Sequence, residues 1–251
     1  MIMTKRAVYC LAMFLGLTGA SLQAGTLILG DPPMAGTGNC DPFGCPAFFG
    51  LGTYQQVYAG SAFPGAMTID NLAFFQGVIL NNGGLPAGGT FTLSLSYTSA
   101  APGGLDLNSP NNNIGADSAS FFTGTLPALI PDGSGNLLSF AGTPFAYDPA
   151  AGNLLLTVTV TGASNSTPYF YLDEAQCGPS ACPPGSTVVS SDAYFGSYKG
   201  SPISGGNDTG GLVTIFDYTA TTGLSTPEPG SLLLSLAGIG LIAYWRRRQA
   251  S

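Results

Sequence analysis

The run Thr90-Phe91-Thr92-Leu93-Ser94-Leu95-Ser96-Tyr97 alternates polar and apolar residues without a break. In an extended chain that spacing puts Phe91, Leu93, Leu95 and Tyr97 on one face. The same period of two returns in Leu154-Leu155-Leu156-Thr157-Val158-Thr159-Val160-Thr161, with Leu156, Val158 and Val160 facing inward. No 3.6-residue periodicity competes with it between Gly25 and Thr226. Short alternating or β-branched runs, separated by Gly, Pro, Asn and Asp, predict strands over Thr26–Leu29, Tyr54–Tyr58, Met67–Phe75, Thr90–Thr98 and Ser118–Leu126. Further strands are expected over Leu137–Tyr147, Leu154–Thr161, Tyr169–Leu172, Tyr194–Tyr198 and Leu212–Tyr218. The two clearest runs read as antiparallel strands with one wet face. The turn sequences Pro131–Asn136 and Asp148–Asn153 are expected to close hairpins. About ten such strands predict an all-β fold, an antiparallel two-sheet β-sandwich of jelly-roll type, as one domain over residues 25–225.

Positive charge gathers at the ends. Of the six basic residues, Lys5, Arg6, Arg246, Arg247 and Arg248 lie outside that domain, and there is no histidine. Between Gly25 and Thr226 Lys199 stands alone against twelve acids, a formal charge of −11. Nucleic-acid binding needs a basic face to neutralise phosphates and is excluded. Histidine-based catalysis and histidine metal ligation go with it. The wet strand faces carry Thr and Ser where most proteins place Lys and Glu.

Lys5-Arg6 precedes an apolar run over Ala7–Leu17 and a small-residue stretch ending at Ala24. That order describes a secretory signal peptide over residues 1–24, cleaved after Ala24, with Ala20 as the second choice. At the other end Pro227-Glu228-Pro229 is followed by a largely apolar stretch over Leu232–Trp245 and by Arg246-Arg247-Arg248. As a helix that stretch would measure about 21 Å, against a hydrocarbon core of about 30 Å, with the arginines holding its end in the cytoplasm. The two ends therefore leave the middle of the chain on the far side of a membrane.

This three-part tail, residues 226–251, closely resembles the PEP-CTERM sorting signal of Gram-negative bacteria. The resemblance rests on Pro227, Glu228, Pro229, Arg246, Arg247 and Arg248. It implies export through the secretion machinery, a transient anchor in the inner membrane, and recognition by an exosortase with removal of the tail. It also implies delivery to the cell surface or extracellular matrix, in association with exopolysaccharide and biofilm. The segments Asn113–Asp117 and Phe145–Leu156 look like parts of the extracellular β-domains of such proteins, and assign no site.

Cys10 leaves with the signal peptide. Cys40-Asp41-Pro42-Phe43-Gly44-Cys45-Pro46 and Cys177-Gly178-Pro179-Ser180-Ala181-Cys182-Pro183 share the pattern C-x-P-x-x-C-P. In an exported protein they are expected to form two small disulfide loops, Cys40–Cys45 and Cys177–Cys182, that pin loops more than they stabilise the domain. Cross-pairing stays open, and a zinc site built from all four thiolates is the competing reading.

Little remains for catalysis. Asp173-Glu174 is the one adjacent acidic pair, and neighbours on a strand point to opposite faces, so they do not form a glycosidase pair if the strand runs through them. No G-x-S-x-G elbow occurs, and the chain is not expected to be an enzyme. Asp106–Asp117 is rich in Asp and Asn over twelve residues, and calcium bound in a non-EF geometry is one reading of it. A loop of Asx turns is the other. The aromatic runs Tyr169-Phe170-Tyr171 and Tyr194-Phe195-Gly196-Ser197-Tyr198 offer stacking faces to a carbohydrate, as a carbohydrate-binding module would, or fill the core and cross-strand pairs. With little left for catalysis, the function that the PEP-CTERM resemblance implies is structural or adhesive, in an exopolysaccharide matrix.

Overall fold

In the computed structural model, described over residues 23–30, 38–45, 51–77, 83–133, 135–175, 190–198, 201–206 and 211–221, strands account for almost all regular structure. They are β1 (Ala24–Leu29), β2 (Leu51–Tyr58), β3 (Met67–Phe75), β4 (Thr90–Thr98), β5 (Ala119–Gly124) and β6 (Ile130–Pro131). Then come β7 (Asn136–Tyr147), β8 (Asn153–Thr161), β9 (Ser190–Tyr198), β10 (Ser201–Gly206) and β11 (Thr214–Ala220). One sheet has the order β1-β11-β3-β7-β6 and the other β10-β9-β2-β8-β4-β5, with antiparallel pairing throughout.

The pairs β1·β11, β2·β8, β3·β7 and β4·β5 nest inside one another and alternate between the two sheets. That nesting is the jelly-roll, here enlarged by β6 at one edge and by the β9–β10 hairpin at another. The β-sandwich fold expected from the period of two is the fold observed, within a compact unit spanning Ala24–Thr221.

The alternating residues do what their spacing dictates. Phe91, Leu93 and Leu95 of β4 are fully buried between the sheets, as are Leu154, Leu156 and Val158 of β8. Across the sandwich, Tyr58 of β2 meets Phe216 of β11 edge-on at 5.0 Å, and its hydroxyl shares a 2.8 Å hydrogen bond with Thr214. The second sheet is not wet on its outer face, however. Ser96, Thr98 and Thr157 are buried there. A second apolar cluster forms from Val57, Leu105, Leu155, Ala193 and Phe195, with Ala100, Leu107 and Ile114 packed on it. The segment between β4 and β5 supplies that cover.

Two local expectations are corrected, and one strand was not expected. Tyr169–Leu172 is not a strand. Its backbone atoms bond to several separate segments, Gly83 N to Tyr169 O, Gly77 N to Tyr171 O, Phe170 N to the Ser166 hydroxyl, and Leu172 in an isolated bridge with Asn39, so no ladder forms. Asp148–Asn153 turns the chain but closes no hairpin, because β7 and β8 belong to different sheets. Its local bonds, Ala150 N to Asp148 Oδ1 and Ala151 N to Asp148 O, are those of any Asx turn and leave open which sheet the next strand joins. Strand β10, with Pro202 and two glycines, has no alternating pattern and stands at a sheet edge, where a proline is tolerated.

Candidate functional site

Residues 40–45 fold into a tight turn in which Gly44 N and Cys45 N both donate to Cys40 O, at 2.6 and 3.0 Å. The turn brings the Cys40 and Cys45 α-carbons to 5.3 Å, and the two sulfurs are bonded. The expected Cys40–Cys45 disulfide is therefore present, which removes the zinc reading for this pair, since a disulfide sulfur is no thiolate ligand. Cys177 and Cys182 lie outside the described residues.

The loop does more than pin itself. Phe43 at its tip is fully buried, with ring centroids 5.2 Å from both Phe74 and Phe140 and 6.0 Å from Phe91. The segment after β8 clasps it in place. Ser166 donates to Gly44 O from both N and Oγ, at 3.1 and 2.8 Å, and Asn39 and Leu172 exchange backbone bonds at 3.0 and 2.9 Å. Position 44 has to be glycine, because a β-carbon there would collide with the Phe170 carbonyl. The short disulfide thus anchors a core aromatic, which the loop-length argument alone did not reveal.

Within the turn Asp41 Oδ1 lies 3.0 Å from the buried Cys45 Sγ. Burial pushes the Asp41 carboxyl up to about 7. Among the described residues Cys40, Asp41 and Cys45 are the one group of Cys, Asp or Glu whose ligand atoms converge, within 4.8 Å. Asp41 was not singled out from the sequence. An acid inside a six-residue cysteine loop is the signal that points to it.

The Asp106–Asp117 loop is a framework of Asx bonds. Asp106 Oδ1 accepts from Asn108 N and Nδ2, at 2.7 and 2.9 Å, and Oδ2 accepts from Asn112 Nδ2 at 2.7 Å. The Asn112 amide first, then those of Asn108, hold the Asp106 carboxyl below its ordinary range. Asp117 is turned elsewhere, both of its oxygens accepting from Tyr97 N. Asn113 ties the loop to the sheet: Nδ2 donates to Gln55 Oε1 at 2.8 Å, and Oδ1 accepts from Asp106 N at 2.7 Å. The carboxylates that could have received calcium are bonded to amides of the chain itself.

Phe170 and Phe195 are buried. Tyr169 and Tyr171 are half-buried and meet at 6.3 Å with their planes 73° apart, which is an edge contact and no flat platform. Asp173 is buried and Glu174 half-buried. Asp173 N donates to Phe75 O and its carbonyl accepts from Val213 N. Beside them Tyr54 donates to Gln56 Oε1 at 2.6 Å, and Gln56 Nε2 donates to Leu212 O at 2.8 Å. Burial, and after it the negative charge of Asp192, push the Tyr54 phenol well above its ordinary range.

No helix among the described residues is long and apolar enough to cross a membrane. The helix expected over 232–245, with Pro227, Glu228, Pro229, Arg246, Arg247 and Arg248, lies outside the described residues. No curated protein and no solved structure matches the chain. A family model for the PEP-CTERM protein-sorting motif matches residues 225–248, a span that takes in the Pro-Glu-Pro motif, the apolar stretch and the arginines. That motif marks an exported protein processed by an exosortase at the membrane. The chain is a PEP-CTERM sorting domain-containing protein.

Proposed function

We propose that the jelly-roll domain is a structural or adhesive component of an exopolysaccharide matrix, delivered to the cell surface once the signal peptide and the sorting tail have been removed. The observation that supports this is how the domain uses its acids. Asp106, Asp117, Asp132, Asp148 and Asp217 each accept hydrogen bonds from amides or hydroxyls of the same chain. Asp70 does the same with Thr219. These carboxylates brace turns and strand pairs, as suits a protein whose work is to keep its shape outside the cell.

Between Gly25 and Thr226 Lys199 is the one basic residue, against twelve acids. A domain of this charge suits a neutral polysaccharide, or an acidic one bridged by a cation. The test is the cohesion of the matrix, by rheology, in cells lacking this protein and in cells lacking exosortase. Reduced cohesion in both strains, with the unprocessed protein held at the membrane in the second, is expected. Unchanged cohesion in the strain lacking the protein would remove the structural role.

A further inference from the structure

The contact between Asp41 and Cys45 has only one donor. A disulfide sulfur carries no hydrogen, so a hydrogen bond across the 3.0 Å between Asp41 Oδ1 and Cys45 Sγ forms only when Asp41 holds the proton. The two sulfurs are not equivalent. Cys45 is fully buried, whereas Cys40 is half-buried and offers the side from which a thiolate can arrive.

We infer that Asp41 is the proton donor and acceptor for thiol–disulfide exchange at Cys40–Cys45, so that the clasp opens to a dithiol reductant while Asp41 holds its proton and stays shut when it does not. A thiolate of the dithiol attacks Cys40 Sγ, and a mixed disulfide forms as the Cys40–Cys45 bond breaks. The electron pair of the broken bond goes to Cys45 Sγ, which takes the proton from Asp41 Oδ1. The second sulfur of the dithiol then displaces Cys40, which is protonated from water, and the reductant leaves as a cyclic disulfide. In the reverse direction the Asp41 carboxylate takes the proton from the Cys45 thiol and frees it to attack.

An ionised Asp41 opposes the first step. It would face a second negative charge developing 3.0 Å away on the buried Cys45 sulfur. The elements packed against the turn bring Ser166 and Phe170 from the segment after β8, Phe74 from β3, Phe91 from β4 and Phe140 from β7. The titratable groups on those elements are Tyr169, Tyr171, Asp173 and Glu174, then Asp70, Tyr97 and Tyr147. None of them contributes to the raised Asp41 carboxyl, for which burial is the cause. Opening the clasp would also release Phe43 from the core, which couples the exchange to the packing of the sandwich.

The test follows reduction of the full chain by dithiothreitol from about pH 5.5 to 8.5, by alkylation and mapping of the Cys40 and Cys45 peptides, with rates divided by the reagent's thiolate concentration. The corrected wild-type rate is expected to fall by about tenfold or more as Asp41 ionises, and the Asp41→Asn rate to stay level. Identical profiles for the two proteins would overturn the inference. Should Asp41→Asn fail to fold, the wild-type profile decides by itself: a corrected rate that is flat over the range would overturn it equally.

Discussion

Asn113 and Gln55, 58 residues apart in the chain, share a buried hydrogen bond of 2.8 Å, from Asn113 Nδ2 to Gln55 Oε1. It fastens the segment between β4 and β5 over the outer face of the second sheet, where Leu105 packs with Val57 and Leu155. Asn113→Ala would leave Gln55 Oε1 and Asp106 N without these partners and is expected to cost about 2–4 kcal/mol in urea unfolding. With the Asp106 carboxylate filled by the amides of Asn108 and Asn112, millimolar calcium is expected to leave the Tm unchanged. A rise of several degrees on adding calcium would show that the loop is a cation site.

Phe43 is the core residue carried by the disulfide turn. Phe43→Ala would open a cavity beside Phe74, Phe91 and Phe140, and a loss of about 3–5 kcal/mol is expected by chemical denaturation. Gly44→Ala should destabilise as well, through the clash with the Phe170 carbonyl. A Phe43→Ala protein as stable as wild type would mean that the turn is peripheral to the core.

Two carboxyls give stability opposite dependences on pH. The folded-state pKa of Asp41 is raised from 3.8 to about 7, so the unfolded chain releases this proton first. Stability is therefore lost as pH rises across that window, and the full cost is present above it. Asp106 is held below 3.8, so its contribution is present above the unfolded value and is lost as pH falls through the folded one. Asp41→Asn is expected to gain on the order of 2 kcal/mol at alkaline pH and nothing at low pH. Asp106→Asn should lose stability near neutrality and match wild type in acid. Thermal melts at pH 3, 5 and 8 (chosen to bracket roughly these windows) check both signs.

Local pattern made much of the sandwich legible. Met67–Phe75 and Thr90–Thr98 run over the expected residues, because a strand buried on one face writes its period into the chain. Gln55 and Gln56 were less readable. Both are fully buried, since β2 lies between β8 and β9, faces the core on one side and is covered by the Asn113 loop on the other. Nothing in the composition of that loop announces a second apolar layer. Asp148–Asn153 shows the same limit, since turn chemistry is local and sheet membership is set by partners far along the chain. The C-x-P-x-x-C-P pattern held for Cys40–Cys45. Peptide mapping without reductant is expected to find its repeat joined as Cys177–Cys182, and free thiols or long-range pairs would defeat that assignment.

The sorting motif at residues 225–248 is the centre of the account, and the intact mass of the mature protein tests it most directly. Protein recovered from the cell surface should lack Arg246, Arg247 and Arg248 together with the apolar stretch before them, and should regain them in cells without exosortase. A surface protein whose mass still includes the three arginines in exosortase-competent cells would contradict it.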